Sequence, residues 1–306
     1  MAELIPLNEV GVTQPASDAS TRPRRPEWLK ARAPGGVNYH DVLRLMREKN
    51  LHTVCEEARC PNIGECWNHR TATFLLLGDI CTRGCRYCAI GKGKPKPIDE
   101  NEPERVAESV AHLKLKFAVL TSVNRDDVPD GGAHIFARTI ELIRQKVPDC
   151  KVEVLIPDFD GNWDALATVL AAEPDVLNHN IETVPRLFRR FRPRATFEQS
   201  IELLARARAA RPKLVTKSGM MVGAGETNEE VYEVIDRLRS VDVNVLTIGQ
   251  YLAPDASYWP VHRYVTPAEF AEFRSYALAR GFTHVESGPL VRSSYNAHLH
   301  VGAAQH

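Results

Sequence analysis

Seven cysteines occur in the chain, and six of them fall between Cys55 and Cys88 in two triplets. The second triplet, Cys81-Thr-Arg-Gly-Cys85-Arg-Tyr-Cys88, has the spacing C-x3-C-x2-C. A loop of eight residues cannot send three thiolates to separate sites, so they must converge on one centre. Thiolates select soft metals, zinc or iron–sulfur clusters. A structural zinc wants four ligands, so a set of three reads as a site held open for another molecule. The first triplet, Cys55-x4-Cys60-x5-Cys66, also offers three sulfurs, and two four-iron clusters would then each lack one ligand. One zinc or cluster on four cysteines, with two left over, is the alternative; three plus three is the more economical partition. Cys150 stands apart and reads as a small buried hydrophobe.

Three disulfides would also consume six cysteines, but the start MAELIPLNEV carries an early Glu and lacks the basic and apolar runs of a secretory signal. The expected compartment is the reducing cytoplasm, where grouped cysteines more often bind metal. Lys plus Arg and Asp plus Glu both number 39 in 306 residues, so no global field exists to attract nucleic acid or an anionic membrane. Apolar residues at 43%, with no apolar run near the roughly 18 residues of a membrane span, describe a soluble protein.

The elements that must position these cysteines follow from periodicity. Residues 14–36 hold four prolines and seven charges with little to bury, and read as an extended arm, free or pinned by Trp28 and Leu29. A helix is expected over 39–49, with Asp41 near its start. Short β-branched and Leu-rich segments follow at 74–80, 118–123, 152–156, 176–181, 214–222 and 243–251, with amphipathic stretches at 104–115, 133–147, 163–172, 197–209 and 229–241 between them. Six strands alternating with helices predict a parallel α/β sheet with right-handed crossovers, as a barrel or a doubly wound sheet. A helix over 267–279 and an edge strand over 283–286 complete the pattern. The domain reading is an arm at 1–36, an extension carrying the first triplet at 37–73, a barrel at 74–282 and a C-terminal segment at 283–306.

Chemistry in parallel α/β folds gathers at the carboxyl ends of the strands. There stand Cys81; Asn124-Arg125-Asp126-Asp127 with Gly131-Gly132; Asn178-His179-Asn180 with Glu182; and Gly223-Ala-Gly225-Glu226. The plain reading of Gly131 and Gly132 is a turn and helix start, and of Asn180 and Glu182 caps or satisfied core groups. Gly223-Ala-Gly225 lacks the dinucleotide fingerprint, and Glu226-Thr227-Asn228 looks like a helix cap. His179, His298 and His300 show no metal-ligand spacing. Arg189, Arg190, Arg192 and Arg194 form a basic cluster, by default a solvated helix face, otherwise a contact for an acidic carrier or a carboxylate.

The C-x3-C-x2-C loop with Tyr87 before its last cysteine, placed after the first strand of a βα array, resembles the radical S-adenosylmethionine superfamily. CEEARCPNIGECW, RDDVPDGGA, NHNIETV, TKSGMMVGAGET and RSSY together resemble its lipoyl synthase family, from about Trp28 to His298. The resemblance implies a partial (β/α)6 TIM-type barrel with N- and C-terminal extensions over its mouth. It implies a 4Fe-4S cluster on Cys81, Cys85 and Cys88 whose fourth iron binds S-adenosylmethionine, and an auxiliary 4Fe-4S cluster on Cys55, Cys60, Cys66 and Ser294, with Ser293 the adjacent competitor. Tyr87, Gly131, Gly132, Asn180 and Glu182 would contact S-adenosylmethionine, and Arg292 an anion or the substrate. The implied reaction is radical insertion of two sulfur atoms at carbons 6 and 8 of a protein-bound octanoyl chain, the auxiliary cluster being the sacrificial donor and two S-adenosylmethionine molecules being consumed. The implied partners are octanoylated lipoyl carrier domains (2-oxoacid dehydrogenase E2 subunits or glycine cleavage H protein), a ferredoxin or flavodoxin-type reductant and an iron–sulfur carrier. A biotin synthase or methylthiotransferase would keep the radical loop with another substrate; an electron carrier or zinc module would need no barrel.

Overall fold

The structure, a computed structural model, describes residues 25–31, 33–69, 72–295 and 297. His298, His300 and the arm as far as residue 24 lie outside them. In chain order the elements are α1 (Val37–Glu48), β1 (His52–Thr53), α2 (Val54–Glu57), α3 (Ile63–Asn68), β2 (Thr73–Leu76), β3 (Ile80–Cys81), β4 (Gly91–Lys92), α4 (Glu102–His112), β5 (Phe117–Ser122), α5 (Ala133–Lys146), β6 (Lys151–Leu155), α6 (Trp163–Ala171), β7 (Val176–Asn178), α7 (Pro185–Phe191), α8 (Phe197–Ala210), β8 (Val215–Val222), α9 (Asn228–Ser240), β9 (Val245–Gln250), α10 (Pro267–Ala279) and β10 (His284–Gly288).

One eight-stranded sheet runs β1-β2-β5-β6-β7-β8-β9-β10, with β1 antiparallel to β2 and every later neighbour parallel. A doubly wound sheet reverses its strand order, which is what makes a switch point. Here the order never reverses, so right-handed crossovers lay the helices on one face and the sheet curls around the other. Its two ends, β1 and β10, do not pair, which leaves the barrel partial. The choice left open by periodicity thus falls to the barrel. The parallel sheet also continues beyond residue 282, because β10 pairs with β9 through five residues.

Val176, Val215 and Val245, each the first residue of its strand, pack with Phe117 into a small apolar plug at the amino-terminal end. Above the plug sits a feature that the sequence pattern did not reveal. Lys217 Nζ and Glu153 Oε1 stand 2.7 Å apart with both side chains fully buried, and Asn178 Nδ2 donates to the same oxygen at 3.0 Å. Glu153 Oε2 and Asn178 Oδ1 have no partner among the described residues. A charge inside an otherwise apolar strand was the available signal.

Other differences have local causes. The first barrel strand stops at Leu76 because Leu77 and Gly78 turn left-handed, at φ 70° and 87°, and the freed Leu77 N–H donates to the Glu102 carboxylate at 2.7 Å. The strand expected over 176–181 ends at Asn178; residues 180–182 meet β8 at an isolated bridge between Glu182 and Met220, with the Ile181 N–H on the Ser218 hydroxyl. Trp28 is 45% exposed and Leu29 is half-buried, while the arm they were expected to pin lies mostly outside the described residues. The chain crosses α3 at Gly64, where any Cβ would strike the Ala33 carbonyl and the Pro34 backbone.

Candidate metal centre

The first triplet is carried by two short helices. Thr53 caps α2, its hydroxyl accepting from the Glu56 N–H, and so sets Cys55 on the first turn. Arg59, in left-handed conformation at φ 50°, turns the chain so that the Cys60 N–H returns to the Cys55 carbonyl at 3.0 Å; Cys66 then rides on α3. The second triplet starts on β3 and is tied down at both ends. Arg83, between its first two cysteines, is buried and makes a two-pronged contact with Asp126 and a 2.7 Å contact with Asp158, at the ends of β5 and β6. The Arg86 N–H donates to the Phe191 carbonyl, and Tyr87 stacks on the Phe191 ring at 4.6 Å.

Both loops open onto one cavity of about 610 Å³ at the carboxyl ends of the strands. Cys55, Cys60, Cys81, Cys85 and Cys88 line it; Cys66 does not, but it stands close enough to Cys55 and Cys60 for them to raise its thiol. All are free thiols. Burial pushes Cys55 up to about 11 and Cys66 and Cys88 up to about 12, and neighbouring thiols within each triplet add to the rise. Such thiols are protonated and sluggish as nucleophiles at neutral pH; a bound metal is what ionises them. Among the described residues, no three His, Cys, Asp or Glu side chains are gathered as tightly as ligands of a single ion. The donor set suits a polynuclear centre, whose ligands attach to separate irons. The buried indole N–H of Trp67 makes no hydrogen bond of normal geometry and favours the ionised form of Cys55, as a donor beside a cluster thiolate would.

The segment 291–294 reaches the same cavity from the far end of the chain. It can do so because β9 offers Gly249 where a Cβ would strike the Val291 carbonyl. Its two serines part company. Ser294 Oγ accepts from Thr73 Oγ1 at 2.9 Å, and the backbone of Thr73 favours the ionised form of Cys55. Ser293 Oγ exchanges hydrogen bonds with the Asn180 amide at 2.8 and 3.0 Å. Arg292 lines the cavity near Cys60, where burial lowers the guanidinium and the sulfur opposes that shift.

Opposite stand Tyr87, Asn180 and Glu182, all lining the cavity. Glu182 holds a left-handed φ of 68°, a strain tolerated where a side chain must be aimed. Burial raises its carboxyl, and Arg192, Asn180 and Tyr87 oppose that rise. Sequence reasoning left Arg192 within a basic cluster; the structure buries it in this cavity, donating to the Asn180 carbonyl at 2.9 Å while its Nε has no partner among the described residues. His179 is a satisfied core histidine, held between the Ile156 carbonyl and Ser200 and pushed down to about 4, by burial first. Gly131 and Gly132 are not brought to this cavity. Gly132, at φ 85° against the Leu77 side chain, starts α5, and Gly131 borders a separate hollow of about 410 Å³. Glu226 clamps the Gly223 and Ala224 N–H groups, and Thr227 caps α9 as expected.

Comparison with known proteins agrees with this arrangement. A family model described as the radical SAM superfamily matches residues 75–238, and one described as the N-terminal domain of lipoyl synthase matches residues 11–60. A lipoyl synthase of Chloroflexus aurantiacus is 98% identical over 306 residues, 100% of both chains, and one of Koribacter versatilis is 60% identical over 90% of each. Among solved structures, methylornithine synthase superposes with a TM-score of 0.51 at 11% identity over 72% of both chains. Streptococcus suis SuiB bound to S-adenosylmethionine gives 0.55 at 10% identity over 84% of this chain and 58% of its own; at such identities only the fold is shared. With both family models falling on cysteine-bearing segments, and a relative that matches this chain from end to end, the chain belongs to the lipoyl synthase family of radical S-adenosylmethionine enzymes.

Proposed function

We propose that the chain makes lipoyl groups, inserting sulfur at carbons 6 and 8 of an octanoyl chain presented by a lipoyl carrier protein in the cytoplasm. Cys81, Cys85 and Cys88 would hold one 4Fe-4S cluster, and Cys55, Cys60, Cys66 and Ser294 the second. Bound there, the first supplies the electron that cleaves S-adenosylmethionine, two molecules per product, and the second supplies the sulfur. A ferredoxin or flavodoxin-type protein and an iron–sulfur carrier would serve as reductant and as source of the replacement cluster.

The observation that carries this reading is that two cysteine loops, brought from opposite sides of β2, face one cavity together with Ser294. An electron carrier has no use for such a shared chamber. The chain's own residues divide the remaining work. Val119, Leu155 and Met220 give the cavity apolar walls for an acyl chain. Glu182 and Arg192 offer one carboxylate and one guanidinium beside Cys85, matching the amino and carboxylate groups of S-adenosylmethionine. The Arg83 clamp holds its loop still, which serves positioning at contact distance. The walls of the cavity would keep competing hydrogen-atom donors away from a radical formed there.

The test is anaerobic. The protein is reconstituted with iron and sulfide, then given S-adenosylmethionine, dithionite and an octanoyl-lysine peptide, and products are weighed by mass spectrometry. About eight irons per chain are expected, with 5′-deoxyadenosine and a peptide gaining two sulfurs. About four irons, or 5′-deoxyadenosine without sulfur transfer, would assign another substrate; zinc in place of iron would end the proposal.

A further inference from the structure

We infer that the mouth of the cavity is a docking ring for an acidic face of the carrier protein, built from Arg25, Arg59 and Lys92. Of the residues that line the cavity, these are the ones exposed to solvent, and a residue that both lines a cavity and meets solvent lies at its opening. All three are cations, in a chain whose formal charge is zero. None forms an ion pair with a carboxylate among the described residues. That sets them apart from the exposed Arg44, Arg47, Arg186 and Arg237, each of which has an acidic partner. Deeper in the cavity, by contrast, Arg83 is matched by two aspartates and Glu153 by Lys217.

Three separate segments supply the ring. Arg25 precedes α1, Arg59 immediately precedes Cys60, and Lys92 lies on β4 with its ammonium 5.4 Å from the Tyr258 ring centre. Arg86, within the second cysteine loop, and Lys94, just after it in the chain, are likewise exposed with no carboxylate partner among the described residues. A small free anion would call for converging buried donors. Exposed, unpaired cations spread around an opening instead steer a large body of opposite charge and fix its register. The inference deepens the proposed function and rests on it, since the acyl chain must arrive on a protein and enter through this mouth.

The test measures binding of an octanoylated carrier whose acylated lysine is flanked by Asp and Glu, using the reconstituted protein without reductant. Arg25→Glu with Lys92→Glu should weaken binding by about tenfold or more at low salt, and added salt should shrink the difference. Arg25→Lys with Arg59→Lys should bind like the parent, and a carrier with its flanking acids changed to Lys should regain affinity for the Glu variant. Turnover of the short uncharged octanoyl-lysine peptide is the control; it should be unchanged, which excludes misfolding. Equal carrier affinity for parent and Glu variant overturns the docking ring while leaving the proposed function intact. Tighter competition by single-stranded RNA than by the acidic carrier would overturn it in favour of nucleic acid. Absence of product from carrier and peptide alike would instead overturn the proposed function.

Discussion

Thr73 joins two groups that the sequence holds far apart. Its hydroxyl donates to Ser294 and its backbone favours the ionised form of Cys55, so one residue acts on a serine and a cysteine that line the same cavity. Thr73→Val should cut iron retained after a chelator challenge from about eight to about four per chain, with loss of one cluster's spectroscopic signature; Thr73→Ser should restore both. Lys217 makes a different demand. Removing one partner of a buried ion pair strands the other charge, so Lys217→Met should destabilise the protein by about 3–5 kcal/mol in denaturant unfolding, and adding Glu153→Leu should recover much of it. The cysteines were readable because thiolate spacing is itself the chemistry. Ser294 was legible only through the RSSY resemblance, being a loop hydroxyl by local context, and its hydrogen-bond partner lies 221 residues away. Arg192 was legible only as a charge among arginines, because burial is decided by how α7 packs.

At the scale of elements, caps and left-handed residues decide where chemistry can sit. The helix α10 opens with a capping box in which Thr266 and Glu269 satisfy each other's backbone. Burial resists ionisation of Glu269, but the Thr266 N–H, the Arg263 guanidinium and the Thr266 hydroxyl overcome it and hold the carboxyl down at about 2. A depressed carboxylate contributes stability above its unfolded pKa and loses it as pH falls through the folded value. Glu269→Gln should therefore cost about 1 kcal/mol at neutral pH, a figure discounted for partial exposure, and parent and variant should converge between pH about 4.5 and about 2. Unfolding curves across that range decide it. The barrel strands were legible as β-branched runs between turn residues. The helices α2, α3 and α7, of four to seven residues, were not, since fewer than two turns leave no periodicity to read. Gly131 and Gly132 show the converse: a pattern that resemblance gave to the cofactor is, in the fold, the left-handed start of α5.

Across the whole molecule, an open barrel keeps two loops and a late segment at one end of the sheet, and the cations there face outward. The described residues include no helix long and apolar enough to cross a membrane. The two halves of the proposed chemistry should be separable by truncation. A chain ending at Ser293 retains β1 to β10 and the second cysteine loop, and should cleave S-adenosylmethionine while failing to transfer sulfur, with about half the iron of the full chain. Sulfur transfer by that chain at the parent rate would remove Ser294 from the centre. The stapling of opposite chain regions, by Asn62 on the Leu290 carbonyl at 2.7 Å and by Thr73 on Ser294, also bears on biosynthesis. Cys55, Cys60 and Cys66 leave the ribosome more than two hundred residues before Ser294, so a nascent chain presents three thiols without the serine proposed to join them. On the proposed assignment, maturation of that centre would wait for Ser294 to be made, and a fragment that stops short of it could not hold iron there as the longer chain would.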